Sequence, residues 1–247
     1  MDILGAQFNP ISGEASIQDI GVSGNFSISG GDWIMWWDPN GNNGAGSYTK
    51  AFYWGVDEND DLFGVYSPDD EDYENPLGAG WGDPDAFIVD ASISAGKGFW
   101  SQAVNGGSIV IVGEVPSSGT VSLSANKMDL VCNPYAVDTD IQTISVSGNF
   151  SISGGDWIMW WDPTGNNGAG SYTKAFYWGV DETDDLFGVY DPKDEDYEDP
   201  LGAGWGDPDA FIIRHTIPAG HGFWCQAVNG GSLVFADPTA ANPPAED

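Results

Sequence analysis

The chain contains one sequence twice, and that repetition constrains its folding more than any other feature. Val22–Ile88 recurs as Val146–Ile212, about 124 residues further on, with five substitutions. Self-similarity over such a period means that one structural unit is built twice. Register holds through Gly96-Lys97-Gly98-Phe99-Trp100 and Gly220-His221-Gly222-Phe223-Trp224, and Met1-Asp2-Ile3-Leu4 matches Met128-Asp129-Leu130-Val131. The expected organisation is a first repeat over 1–113, a short connection over 114–127, a second repeat over 128–237 and an extended Pro-rich tail over 238–247. Within the connection Thr120-Val121-Ser122-Leu123-Ser124 alternates like a strand. So short a joint should hold the copies close together, and a shared sheet edge is one way to do so. Because nothing before Met1 matches the residues before Met128, the chain is also expected to be a piece of a longer array.

Apolar residues never recur at helical spacing, while 35 Gly and 15 Pro punctuate short aromatic and β-branched runs. The fold class expected is all-β, as two tandem homologous β-sandwich-like or barrel-like domains. Strands are expected near 23–28, 32–37, 48–55, 86–92, 98–103 and 108–112, with equivalents in the second copy. Asp38-Pro39-Asn40-Gly41-Asn42-Asn43-Gly44-Ala45-Gly46 is rich in residues that tolerate positive φ and should turn the chain between the second and third of these. Along Trp33-Ile34-Met35-Trp36-Trp37 both faces of the strand are apolar. That strand is therefore either buried on both sides, or buried on one and sticky on the other.

Six Lys plus Arg against 38 Asp plus Glu give a net charge of -32, which repels phosphate backbones and anionic lipid headgroups. Nucleic acid is thereby a poor partner, and no run approaches the twenty apolar residues of a membrane span. Twelve Trp, 12 Phe and 9 Tyr supply the burial that a disordered acidic chain lacks. Acidic, Lys-poor composition points to an extracellular or cell-surface location, with any secretion signal already removed. Divalent cations would relieve the self-repulsion, so Ca2+ is the cofactor to expect.

Duplication also acts as an internal control, because chemistry shared by both copies must use residues present in both. His215, His221 and Cys225 align with Ala91, Lys97 and Ser101, which argues against shared His or Cys chemistry. Signature loops of nucleotide, serine and zinc hydrolases are absent. Cys132 and Cys225 occur only in the second repeat, and in an oxidising compartment they are expected to form a disulfide, with two buried free thiols as the alternative.

Two constellations are repeated. The first is acidic: Asp57, Asp60, Asp61, Asp70 and Asp72, with Asp181, Asp184, Asp185, Asp194 and Asp196, all oxygen ligands of the kind calcium takes. A solvated acidic loop explains them equally well. The second is aromatic: Trp37, Trp54 and Trp81 with Asp83, and Trp161, Trp178 and Trp205 with Asp207. Exposed Trp beside carboxylates grips sugar rings, stacking on the apolar face while polar groups meet the hydroxyls. Trp81 in Gly78-Ala79-Gly80-Trp81-Gly82-Asp83 is the leading candidate, because a Gly-rich loop holds it next to a carboxylate.

Asn133-Pro134-Tyr135, Asp140-Ile141, Trp161-Asp162-Pro163 and Gly220-His221-Gly222-Phe223-Trp224, in that order, resemble a β repeat of secreted and surface proteins of Gram-negative bacteria. The resemblance implies location and architecture and assigns no chemistry. The expected function is a non-catalytic extracellular module binding a polysaccharide or other glycan at two equivalent sites. The alternatives are a structural subunit of a surface layer, fibre or adhesin that contacts other copies of itself, and a glycosidase using paired carboxylates.

Overall fold

The structure, a computed structural model, describes residues 2–5, 14–38, 41–59, 61–111, 118–135, 137–162, 164–194 and 196–238. It is almost entirely β. Its main elements are ten strands in two five-stranded sheets. In the first half these are β1 (Asp2–Gly5), β2 (Ser29–Asp38), β3 (Ser47–Trp54), β4 (Gly80–Gly82) and β5 (Gly98–Gln102). Their equivalents in the second half are β6 (Lys127–Cys132), β7 (Ser153–Asp162), β8 (Ser171–Trp178), β9 (Gly204–Gly206) and β10 (Gly222–Ala227).

Both sheets are antiparallel and have the same order, β1-β5-β2-β3-β4 and β6-β10-β7-β8-β9, and neither closes into a barrel among the described residues. Register is equally repeated: Trp33 pairs Phe52 as Trp157 pairs Phe176, with a bulge just before each Trp. Five substitutions in a duplicated β sequence are thus absorbed without changing strand order or pairing.

The two-faced apolar strand proves to be buried on both sides. Ile34 and Trp36 point into a core with Ile17, Phe26, Trp81 and Phe99, which belongs wholly to the first half. Trp33, Met35 and Trp37 point the other way, into a layer shared with Leu130, Met128, Trp157, Met159 and Trp224 of the second half. The second half has its own core around Val131, Ile158, Trp160, Trp205 and Phe223. Sheet therefore faces sheet between the repeats as well, in addition to the core inside each of them.

Basic residues are scarce, and three of the six serve this junction. Lys50 and Lys174 lie 3.9 Å over the ring centroids of Trp33 and Trp157, capping the apolar layer with charge that the indole faces attract. Lys97 leaves the first half to pair with Asp129 of the second at 2.7 Å. The same turn adds backbone contact, since the Cys132 amide donates to the Gly96 carbonyl at 2.9 Å. The connection does contain a strand, Thr120–Leu123, paired with Gly231–Val234 of the second half.

Two expected strands differ. Residues 23–28 are extended only over Gly21–Ser23, because the Ser27 amide turns inward to the fully buried carboxylate of Asp32. Residues 86–92 are interrupted because Ala86 adopts φ 65 in a turn closed onto Asp83, and regular pairing resumes only at Ser92–Ser94. The expected tail lies outside the described residues beyond Pro238.

The expected disulfide is not formed. Cys132 sits opposite Gly222 and Cys225 opposite Asp129 on paired strands β6 and β10. Three residues along a strand is about 10 Å, beyond the roughly 7 Å Cα separation that a disulfide spans. An odd offset also places the thiols on opposite sheet faces. Both are fully buried, and burial pushes both thiols above their ordinary range. We expect a small alkylating reagent to label neither cysteine in the native protein and both after unfolding, and reductant to leave the melting temperature unchanged. Rapid labelling of either native thiol would contradict this arrangement.

Candidate functional site

Trp81 and Trp205 are not exposed. Each is 0% accessible, and each indole N–H donates to a backbone carbonyl, Ile20 at 2.8 Å and Ile144 at 2.9 Å. The flanking glycines are needed for close approach and not for flexibility: a Cβ on Gly80 would lie 2.7 Å from the Gln18 amide oxygen. Gln18 uses that space to complete the sheet edge, accepting from the Trp81 amide at 2.9 Å and donating to the Trp81 and Val89 carbonyls, both at 2.8 Å. Gln142 does the same for Trp205.

Asp83 and Asp207 cap turns. The Asp83 Oδ1 accepts from the amides of Asp85 at 2.9 Å and Phe87 at 3.0 Å, and Asp207 repeats this with Asp209 and Phe211. Trp54 and Trp178 are half-buried and donate to the carbonyls of those same two aspartates at 3.0 Å. Neither half brings these residues together as an open cleft, because the tryptophans form the wall and the aspartates the turn behind it.

The acidic residues are likewise occupied with their own loops. Asp57 accepts from the Asn59 amide, Asp70 from Glu74 and Asn75, and Asp194 from Glu198 and Asp199. The hydroxyl and amide of Thr183 hold the Asp181 carboxyl below its ordinary range. Asp61 and Asp185 occupy left-handed turn positions, while Asp72, Asp184 and Asp196 are exposed, and Asp60 lies outside the described residues. Among the described residues no three acidic, His or Cys side chains converge on a metal-sized site.

The structure does assemble an aromatic strip from residues that the sequence scattered. Trp37 lies 4.9 Å from Tyr48, its cross-strand partner, and both lie 6.3 Å from Trp224 of the other half. The Trp224 indole lies beside the Tyr172 hydroxyl, and Tyr172 lies 5.1 Å from Trp161. Tyr48, Tyr172 and Trp161 are 47%, 43% and 39% exposed, whereas Trp224 is buried and anchors the strip from beneath. Gly46, with φ +83, makes room for the Trp37 ring, since a Cβ there would overlap it. The rings meet edge to face, at 66°, 80° and 71°, so the strip is stepped and not planar. Of its members the sequence had singled out Trp37 and Trp161. Tyr48 and Tyr172 were legible too, because a hairpin centred on Asn42-Asn43 sets Tyr48 opposite Trp37. Trp224 was not, since its place depends on how the halves pack.

Beside the strip, at the junction, is a cavity of about 500 Å³ lined by Trp36, Trp37, Thr49, Ala91, Ser92 and the Lys97–Asp129 pair, among others. The Trp37 Nε1 is buried and has no hydrogen-bond partner among the described residues. An unmade hydrogen bond on a buried donor costs about 1–3 kcal/mol.

No protein-family model, curated protein or solved structure matches the chain. Nor is any helix among the described residues long and apolar enough to cross a membrane.

Trp81→Ala and Trp205→Ala should each lower unfolding stability by about 3–5 kcal/mol, the cost of emptying a large aromatic site in a packed core. Urea denaturation measures it, and a loss under about 1 kcal/mol would place these rings outside the core.

Proposed function

We propose that the chain is an extracellular, non-catalytic module that binds neutral carbohydrate along the strip of Trp37, Tyr48, Trp224, Tyr172 and Trp161. The observation that carries this reading is the exposure of three rings in one continuous series across both halves. Exposed aromatic area without a partner costs solubility, and sugars offer C–H faces that match it. A stepped strip suits a single twisted glycan chain better than a flat crystalline surface, and a net charge of -32 disfavours uronates and sulfated sugars. The two copies contribute to one extended surface in place of two separate sites. The acidic, Lys-poor composition and the likeness to secreted surface repeats support the extracellular location.

Affinity electrophoresis through gels carrying galactomannan, hydroxyethyl cellulose or pectate tests this. Retardation by a neutral polymer and not by pectate is expected. Tyr172→Ala and Trp161→Ala should each weaken it roughly threefold to tenfold with little change in melting temperature. Unchanged retardation in both variants would sink the reading.

A second reading, assembly with other copies, is favoured by one observation. Val56, Phe63 and Leu77 are exposed at 48%, 43% and 57%, and Val180, Phe187 and Leu201 repeat the patch at 49%, 42% and 52%. Identical apolar patches on both halves suit a repeating contact.

Calcium enters the proposal as a loose counterion of the acidic loops, since Asp57, Asp70, Asp181 and Asp194 already accept from their own loops. Calcium chloride is expected to raise the melting temperature no more than sodium chloride at matched ionic strength. A calcium-specific rise would reveal a closed site.

A further inference from the structure

The halves differ where the strip meets the junction cavity. In the second half His215 stacks on Trp160 with ring centroids 4.3 Å apart and planes 14° from parallel. Burial pushes that imidazole below its ordinary range, against the pull of Asp162 and Asp140, so the ring that covers Trp160 is neutral at pH 7. The equivalent residue in the first half is Ala91, and the equivalent indole is Trp36. Both line the 500 Å³ cavity. One half thus carries a flat ring over its tryptophan, while the other leaves a space of ligand size above the same indole.

The far wall of that space also has no counterpart in the second half among the described residues. It is made by Lys97 with Asp129 and Leu130, and those last two residues belong to the next repeat. Lys97 and Asp129 neutralise each other at 2.7 Å, so the wall offers hydrogen bonding without net charge. The set of groups is therefore a flat apolar face, the Asp38 carboxylate, and hydroxyls from Thr49, Ser92 and Ser94.

We propose that the chain has one deep sugar subsite, the junction cavity over Trp36, which takes a single neutral pyranose unit, and that His215 occupies the corresponding place in the second half as a built-in substitute for the sugar. The proposal rests on the carbohydrate reading above and deepens it. A neutral pyranose presents what the cavity asks for: a C–H face for Trp36 and hydroxyls for the Asp38 carboxylate and the rim. The imidazole over Trp160 shows that a flat ring of similar width fits on the equivalent indole. The strip then holds the rest of the glycan while the cavity holds one unit.

Ala91→His and His215→Ala exchange the two states. The probe is cellohexaose, followed by the indole N–H signals of 15N-labelled protein, with Trp37→Phe and Trp161→Phe spectra identifying the cavity and strip signals. In the wild type both the Trp37 and Trp161 signals should shift, at one hexaose per chain. In Ala91→His the Trp37 shift should be lost and affinity should fall roughly tenfold, while Trp161 still shifts at high concentration. In His215→Ala the signal of Trp160, newly uncovered, should become sensitive to hexaose. A Trp161 shift without a Trp37 shift in the wild type would overturn the cavity subsite and leave strip binding intact. A hexaose titration that moves no indole signal, repeated with mannohexaose to the same result, would overturn both. Ala91→His with unchanged Trp37 shifts and affinity would show that the histidine does not substitute for a ligand.

Discussion

Everything else in this protein depends on the packing of one sheet against the other through tryptophan and methionine. Each half alone would expose Trp33, Met35, Trp37 and Trp100, or Leu130, Trp157, Met159 and Trp224, on a sheet face next to an acidic surface. Facing each other, these side chains leave water together, and burying a large side chain stabilises by about 1.5–3 kcal/mol. Lys50 and Lys174 seal the same layer from the rim. Three of the chain's six cations sit where an indole face or a buried carboxylate meets them, while Lys193 lies within an acidic loop.

Much of the fold was legible from residue patterns. The duplication required equal strand order, and the two apolar faces of β2 left a choice between burial on both sides and burial on one with the other sticky. What the sequence did not reveal was the identity of the second face's partner, which a repeat can supply only in three dimensions. The same gap explains the error at Trp81. A tryptophan between glycines looks like a ring on a loose loop, but glycine also permits another chain to approach within van der Waals distance. Gln18, some sixty residues away, supplies that approach, and no local pattern announces it. Asp32 and Asp156 illustrate the converse: in an acidic chain they look like two more surface carboxylates, yet each is buried and holds two backbone amides from separate segments.

The cysteines show the limit of pairwise counting. Two thiols confined to one repeat suggested a bond, and their strands are indeed neighbours. Parity along a strand decides the matter, because an offset of three residues sends the side chains to opposite faces. Cys225 then belongs to the second half's own core, and Cys132 faces the first half. The strip has the opposite history, since its parts were visible as tyrosines and tryptophans at hairpin positions but their continuity across the junction was not. Sequence repetition suggested two sites, whereas packing joins the pieces into one.

The strand Thr120–Leu123 carries a consequence for how such a chain could have been copied. It precedes the point at which sequence similarity to the first repeat resumes, yet it pairs with Gly231–Val234, near the end of the second half. The stretch of sequence that is duplicated and the stretch of chain that folds as a sheet therefore do not share a boundary. A genetic cut at Met128 would follow the repeat faithfully and still strip a strand from the three-stranded sheet it leaves behind. Heredity in this molecule copies one module, and folding closes a slightly larger one.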